Sequence, residues 1–308
     1  LTETLVAIPS ESHHEKQIVD WLVEELSPLP WLTLDRVGEN MVARTTLGRD
    51  IRVILAGHTD TVPVNGNAVP RVEGQTLWGL GSTDMKAGLA VMVELARTVS
   101  EPAVDVTYVF YAAEEVAAVH NGLGHLFRDR PDLLVGDVAL IGEPTDAVIE
   151  AGCQGSLRVQ VTLHGRRAHS ARPWMGDNAI HRLGRVLAAV EARPERRPVI
   201  DGCEFREALQ AVAVTGGVAA NVVPDLATVT LNHRFAPDRT AAEAEAGLRS
   251  LVGPFLAEGD QFDVIDVASA AAPALDHVVL RAIIERNQLP VRAKLGWTDV
   301  ARFAAAGI

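Results

Sequence analysis

The chain has 308 residues, room for about two domains of ordinary size. Its 28 Lys+Arg against 40 Asp+Glu leave a formal net charge of −12, which argues against a nucleic-acid backbone or an anionic membrane as the main partner. Hydrophobic residues at 48% and charged residues at 22% supply a core and exclude wholesale disorder, and no apolar run reaches the roughly 18 residues of a membrane helix.

Cys153 and Cys203 are too few for a disulfide framework or a four-cysteine metal site. They read as reduced thiols, which places the protein in the cytoplasm. No basic segment leading into an apolar one follows Leu1, so no signal peptide is expected. Both ends look cut: Leu1 stands without a Met, and Ile308 follows an Ala-rich stretch.

In chain order, Ser12-His13-His14-Glu15 reads as a capping box, with Ile18, Trp21, Leu22 and Leu26 following at helical spacing. Strands are predicted at 52–57, 104–111 and 137–141, and an apolar-faced helix at 86–99. Strands alternating with helices predict an α/β domain with a mostly parallel sheet flanked by helices on both faces. The pattern changes near Gly152. Leu157, Val159, Val161 and Leu163 alternate with polar residues, the mark of a half-buried strand. A helix at 178–192, strands at 209–215 and 227–235, and a helix at 241–256 give a βαββαβ order and a small α+β, ferredoxin-like domain. Residues 266–273 read as a return linker, and 278–286, 291–295 and 300–306 resume the α/β pattern. The predicted division is therefore 1–152 with 267–308, and 153–266 inserted.

Four segments place metal-ligand side chains at predicted strand ends or helix starts: Gly57-His58-Thr59-Asp60, Gly81-Ser82-Thr83-Asp84-Met85-Lys86, Ala113-Glu114-Glu115 and Gly142-Glu143-Pro144. Open α/β sheets bind ligands at this rim. A neutral imidazole nitrogen of His58 can take a metal while Asp60 holds the other ring nitrogen. The Asp84 carboxylate can bridge two cations, though an aspartate there could also simply cap the next helix. Adjacent Glu114 and Glu115 point different ways on leaving a strand, so one can bind metal while the other stays free as a base. Each segment alone has a bland reading as a solvated loop. Together, nitrogen and carboxylate donors without thiolate suit zinc, and many carboxylates with few histidines suit a two-metal site.

These segments, in this order, resemble the motifs of the co-catalytic dizinc amidohydrolases and exopeptidases, a family that includes desuccinylases, acetylornithine deacetylase and aminoacylases. Asn121-Gly122-Leu123-Gly124, the segment from Glu150 to Val159, the segment from His169 to His181 and Gly296-Trp297-Thr298-Asp299-Val300-Ala301-Arg302-Phe303 carry a closer likeness to its actinobacterial desuccinylase branch. The resemblance implies a zinc-exopeptidase-like catalytic domain with an inserted dimerisation and lid domain.

It also implies two Zn2+, with Co2+ or Mn2+ as substitutes. His58 and Glu143 would bind one, Glu115 the other, and Asp84 both, with a cis peptide often following this aspartate. Glu114 would be the general base and Asp60 would orient His58. His169 would polarise the scissile carbonyl across a homodimer interface. Asn221, Arg234, Thr298 and Ser156 would bind substrate. The implied reaction is removal of succinate from N-succinyl-LL-2,6-diaminopimelate. Acetylornithine deacetylation or a carboxypeptidase reaction is the alternative, and a metal-poor binding fold a remote one. The likeness further implies a histidine ligand for the second zinc and a last strand downstream. The chain ends at Gly307-Ile308 before either, so that site is expected to lack a ligand. His13, His14, His120, His125, His164, His181, His233 and His277 match no ligand position and read as structural or solvated.

Overall fold

Apolar side chains on alternate residues of the central strands face opposite ways, so the first sheet is covered on both sides. In the computed structural model, which describes residues 1–308, the chain divides into two compact units: 1–147 with 277–283 and 302–308, and 148–276 with 284–301.

The first unit opens with α1 (Thr2–Ala7) and α2 (Lys16–Leu26), followed by β1 (Thr33–Val37), β2 (Asn40–Arg44) and β3 (Arg52–His58). A small hairpin, β4 (Arg71–Glu73) and β5 (Thr76–Trp78), precedes α3 (Lys86–Thr98), β6 (Asp105–Tyr111), α4 (Gly122–Asp129) and β7 (Val138–Ile141). The sheet order is β1-β2-β6-β3-β7, with β6, β3 and β7 parallel and the β1/β2 hairpin added antiparallel at one edge. Met41, Tyr108 and Phe110 pack with Ile18, Leu22, Leu26, Leu89 and Val93 of α2 and α3. Val42, Val109 and Tyr111, the alternate residues, pack with Leu123 and Leu126 of α4 and with Phe303. Burying each such side chain is worth about 1.5–3 kcal/mol.

The second unit holds β8 (Ile149–Ala151), β9 (Gly155–His164), β10 (Ala168–His169), α5 (Ala179–Glu191), β11 (Val199–Ile200), β12 (Cys203–Glu204), β13 (Ala208–Gly216) and β14 (Val222–Val223). It continues with β15 (Leu226–Phe235), α6 (Ala241–Val252) and β16 (Gln261–Ala268). Strands β13-β15-β9-β16 form a wholly antiparallel sheet. Leu157, Val159, Val161 and Leu163 face Leu183 and Val186 of α5 and Ala244, Leu248 and Val252 of α6. The alternation seen in the sequence is this one-sided burial. Last come α7 (Val278–Asn287), β17 (Val291–Ala293) and α8 (Val300–Ala305).

Several expectations change. The box expected at Ser12–Glu15 does not form: α2 has Glu15 as its N-cap, without a side-chain cap bond. The capping box that does form is at α6, where the Thr240 hydroxyl accepts from Glu243 N (3.2 Å) and Glu243 Oε2 accepts from Thr240 N (2.7 Å). The supposed linker at 266–273 begins inside strand β16, which pairs with β9. The helix expected to 256 stops at Val252 and continues as a 3-10 turn containing Pro254, which cannot donate a helical hydrogen bond. Residues 284–301 group with the second unit, where β17 pairs in parallel with β8, whereas the sequence reading joined all of 267–308 to the first. No helix is long and apolar enough to cross a membrane.

Candidate active site

Strand β3 is buried along most of its length and delivers His58 to its C-terminal end with the ring 1% exposed. His58 Nδ1 lies 3.0 Å from the Asp60 carbonyl and 3.4 Å from Asp60 Oδ1. A carbonyl only accepts, so the Nδ1 proton is committed there, and Nε2 is the nitrogen that could give its lone pair to a metal. Nε2 lies 3.0 Å from Asp84 Oδ1 and 4.0 Å from Glu143 Oε1. Burial works against a charged ring, but the carboxylates of Asp60, Asp84 and Glu143 outweigh it and raise the His58 pKa well above the usual histidine value. The same negative field would hold a divalent cation in place of the Nε2 proton.

Asp84 and Glu143 meet because two glycines let their elements touch. A Cβ at Gly88 would lie 2.2 Å from the Gly142 carbonyl oxygen, so α3 can press against the end of β7 only with glycine at that position. The Asp84–Met85 peptide is cis. Met85, and not Asp84, is the N-cap of α3, so the carboxylate does not cap that helix.

The Glu114–Glu115 segment follows β6 and is held by its backbone. Beyond Tyr111, four successive amides each find a side-chain oxygen. Ala112 N donates to Asn40 Oδ1 (3.0 Å), Ala113 N to Glu15 Oε1 (3.0 Å), Glu114 N to Asp60 Oδ1 (3.0 Å) and Glu115 N to Asp60 Oδ2 (3.1 Å). Asp60 Oδ2 also accepts the Ser12 hydroxyl (2.7 Å). The Asp60 carboxylate therefore supports the Glu114–Glu115 backbone, while its carbonyl is the oxygen nearer to His58 Nδ1. Burial raises the Glu115 pKa; His58 lowers it, and the charges of Asp84 and Asp60 add to the rise.

Two groups of donor atoms are close enough to hold a metal ion: His58 with Asp84 and Glu143, and His58 with Glu114 and Glu115. Nitrogen and carboxylate oxygens suit a hard or borderline divalent cation. The structure thus brings together six of the expected residues: His58, Asp60, Asp84, Glu114, Glu115 and Glu143.

The other expected residues lie in the second unit. His169 ends β10, opposite Val222 of β14, and Ser170 N donates to the Asn221 carbonyl (2.8 Å), so His169 and Asn221 are neighbours. His169 Nδ1 accepts from Ala171 N (3.1 Å), which leaves the proton of a neutral ring on Nε2. Arg234 and Ser156 are paired across β15 and β9 and share the sheet face opposite α5 and α6. Thr298 is 9% exposed, and its carbonyl accepts from Cys153 Sγ (3.7 Å). Sequence reasoning missed Asn40 and Glu15 as supports of the Glu114–Glu115 segment. Nothing in their own spacing marks them, because their partners are 72 and 98 residues away.

Residues 54–308 match the peptidase family M20/M25/M40. A Corynebacterium glutamicum succinyl-diaminopimelate desuccinylase is 46% identical over 314 residues, which span 100% of this chain and 85% of that protein. The chain belongs to peptidase family M20/M25/M40. A Mycobacterium tuberculosis family relative, provisionally named succinyl-diaminopimelate desuccinylase, is 50% identical over 309 residues, 100% of this chain and 86% of its own. Among solved M20-like folds, a Staphylococcus aureus tripeptidase superposes with TM-score 0.79 at 20% identity, covering 100% of this chain and 86% of its own. A Bacillus subtilis dinuclear metal-binding M20 peptidase gives 0.68 at 16%, covering 99% and 84%. At such identities these two speak for the fold alone.

Proposed function

We propose that this M20 chain is a metal-dependent amide hydrolase that removes succinate from N-succinyl-LL-2,6-diaminopimelate. The observation that carries the reading is the pair of donor groups sharing His58, one of them containing the adjacent Glu114 and Glu115. The two desuccinylase-named relatives, alike over the whole chain, support the choice of substrate. In this reading the first unit is the catalytic domain and the second a lid and dimerisation domain. The protein works in the cytoplasm, where its two buried thiols stay reduced.

His58, Asp84 and Glu143 would hold one divalent cation and Glu115, with Asp84, a second. Zinc is the proposed metal, with cobalt or manganese as substitutes. Bound there, such a pair supplies Lewis acidity and lowers the pKa of water towards about 7. The remaining steps belong to side chains. Glu114 takes a proton from the attacking water and returns it to the leaving amine. His169 donates from Nε2 to the oxygen of the scissile carbonyl as charge develops on it. Arg234 pairs with a substrate carboxylate, which its forked guanidinium suits, and Ser156, Asn221 and Thr298 complete the substrate contacts.

A homodimer through the second unit is part of the proposal. Strand β13 is a sheet edge with Val212 and Val214 exposed, the kind of edge that a second copy would cover.

The test is hydrolysis of succinyl-diaminopimelate against acetylornithine, with Glu114→Gln beside the wild type. The wild type should favour the succinyl substrate in kcat/KM. Glu114→Gln should keep its metal and lose about 10²-fold or more in kcat. Preference for acetylornithine, or an active Glu114→Gln enzyme, would sink the reading.

A further inference from the structure

Glu15 lies outside every motif that carries chemistry, and it is not where the sequence pattern put it. It does not reach back to cap α2. Its side chain is buried, with the residue 2% exposed, and Oε1 accepts two backbone amides: His13 N (3.0 Å) and Ala113 N (3.0 Å). Both residues have left-handed backbones, His13 at φ 73° and Ala113 at φ 57°. Non-glycine residues are uncommon in that region and stay there only where their surroundings hold them. One carboxylate oxygen thus ties two unfavourable turns together, one entering α2 and one leaving β6.

The second turn matters because Glu114 and Glu115 follow it. β6 directs the chain to Tyr111, and the left-handed Ala113 changes its course, so the φ and ψ of Ala113 set where both carboxylates start. Asp60 holds the next two amides and Asn40 the preceding one. Asp60 and Asn40 leave Ala113 as the one amide in the run that depends on α2. The ring of His13 also meets that of His120 edge-on, with centroids 4.9 Å apart, a second tie between the same two segments.

We propose that Glu15 is a positioning residue for the hydrolysis: its Oε1 holds the Ala113 amide and so fixes the aim of Glu114 and Glu115. The proposal rests on the amide-hydrolase reading for its catalytic consequence, but not for the clamp itself. What the clamp needs is an acceptor oxygen at the right distance. A glutamine keeps one. An aspartate keeps the charge but withdraws the oxygen by the length of one methylene.

The test compares Glu15→Gln and Glu15→Asp with the wild type in the full-length chain, each below its own unfolding midpoint and with bound metal counted. Hydrogen exchange of the 112–115 amides reads the clamp directly. Glu15→Asp should exchange at Ala113 at least about ten-fold faster, with Glu114 and Glu115 amides changed less, and Glu15→Gln should exchange like the wild type. Turnover reads the consequence. Glu15→Asp should lose on the order of ten- to a hundred-fold in kcat, with KM and metal content held, and Glu15→Gln should restore most of it. Wild-type exchange in Glu15→Asp, or equal damage in both variants, overturns the proposal. So does a loss of activity that merely follows lost metal or lost fold. If the wild type hydrolyses no N-acyl substrate, the functional reading fails while the exchange result still decides the clamp.

Discussion

Asp105 shows how one side chain can carry local structure in this protein. It is buried and accepts the Thr45 hydroxyl (2.7 Å), Leu47 N (2.9 Å) and Arg49 N (2.9 Å), with Arg52 Nη2 3.6 Å away. Burial alone would raise its pKa, but these donors and the arginine charge outweigh it and bring the value down to about 2. A carboxylate depressed in the folded state stabilises the fold fully above its unfolded pKa of about 3.9 and loses that contribution as pH falls towards the folded value. Denaturant melts from pH 7 to pH 2 should therefore show wild-type stability falling mainly below about pH 4. Asp105→Ala should be roughly 1–3 kcal/mol less stable at pH 7, from the loss of three hydrogen bonds including the one from the buried Thr45 hydroxyl, and show a weaker acid dependence. Parallel pH curves for the two proteins would remove Asp105 from this role. The same chemistry, a buried carboxylate on backbone amides, recurs at Glu15 and Asp60, where it serves the Glu114–Glu115 segment.

At the level of elements, the site depends on how closely α3 approaches β7. Gly88 within α3 has the Gly142 carbonyl against the place where a Cβ would stand. Alanine would favour the helix itself by about 1 kcal/mol, but the contact is with backbone and cannot be relieved by a rotamer. Gly88→Ala should push the start of α3 from the end of β7 and separate Asp84 from Glu143. The expected outcome is metal affinity at least about ten-fold weaker by calorimetric titration, in a protein that still unfolds cooperatively. Unchanged affinity would mean that this approach does not place the ligands. Elements also explain which sequence signals succeeded. Strands β3, β6 and β9 and helices α3, α5 and α6 were legible because their burial is one-sided or complete, which writes period 2, period 3.6 or an unbroken apolar run into the residues. Ser12-His13-His14-Glu15 fits a capping box in letters, but Asp60 takes the Ser12 hydroxyl and Ala113 takes Glu15, so distant partners displaced the local pairing.

For the whole molecule, the proposed action of His169 across a homodimer makes a distinctive prediction. His169→Ala and Glu114→Gln protomers should each be nearly inactive alone, and mixing them should restore part of the activity once heterodimers have formed. Heterodimers verified by mass spectrometry but without recovered turnover would rule out action in trans. The chain's own letters determined the α/β class of the first unit, the βαββαβ order of the second, and the six candidate residues that the structure brings together. Those properties reside in periodic burial and in short runs of ligand-type side chains at strand ends, both local patterns. Only the tertiary structure decided that residues 284–301 join the second unit, and that the Asp60 carboxylate supports Glu114 and Glu115 through their amides. It alone revealed that Glu15 and Asn40 hold the neighbouring turn. Those facts are hydrogen bonds and packing between segments far apart in the chain, 142 residues in the pairing of β17 with β8, and a buried amide takes whichever oxygen the fold brings to it, at any sequence distance.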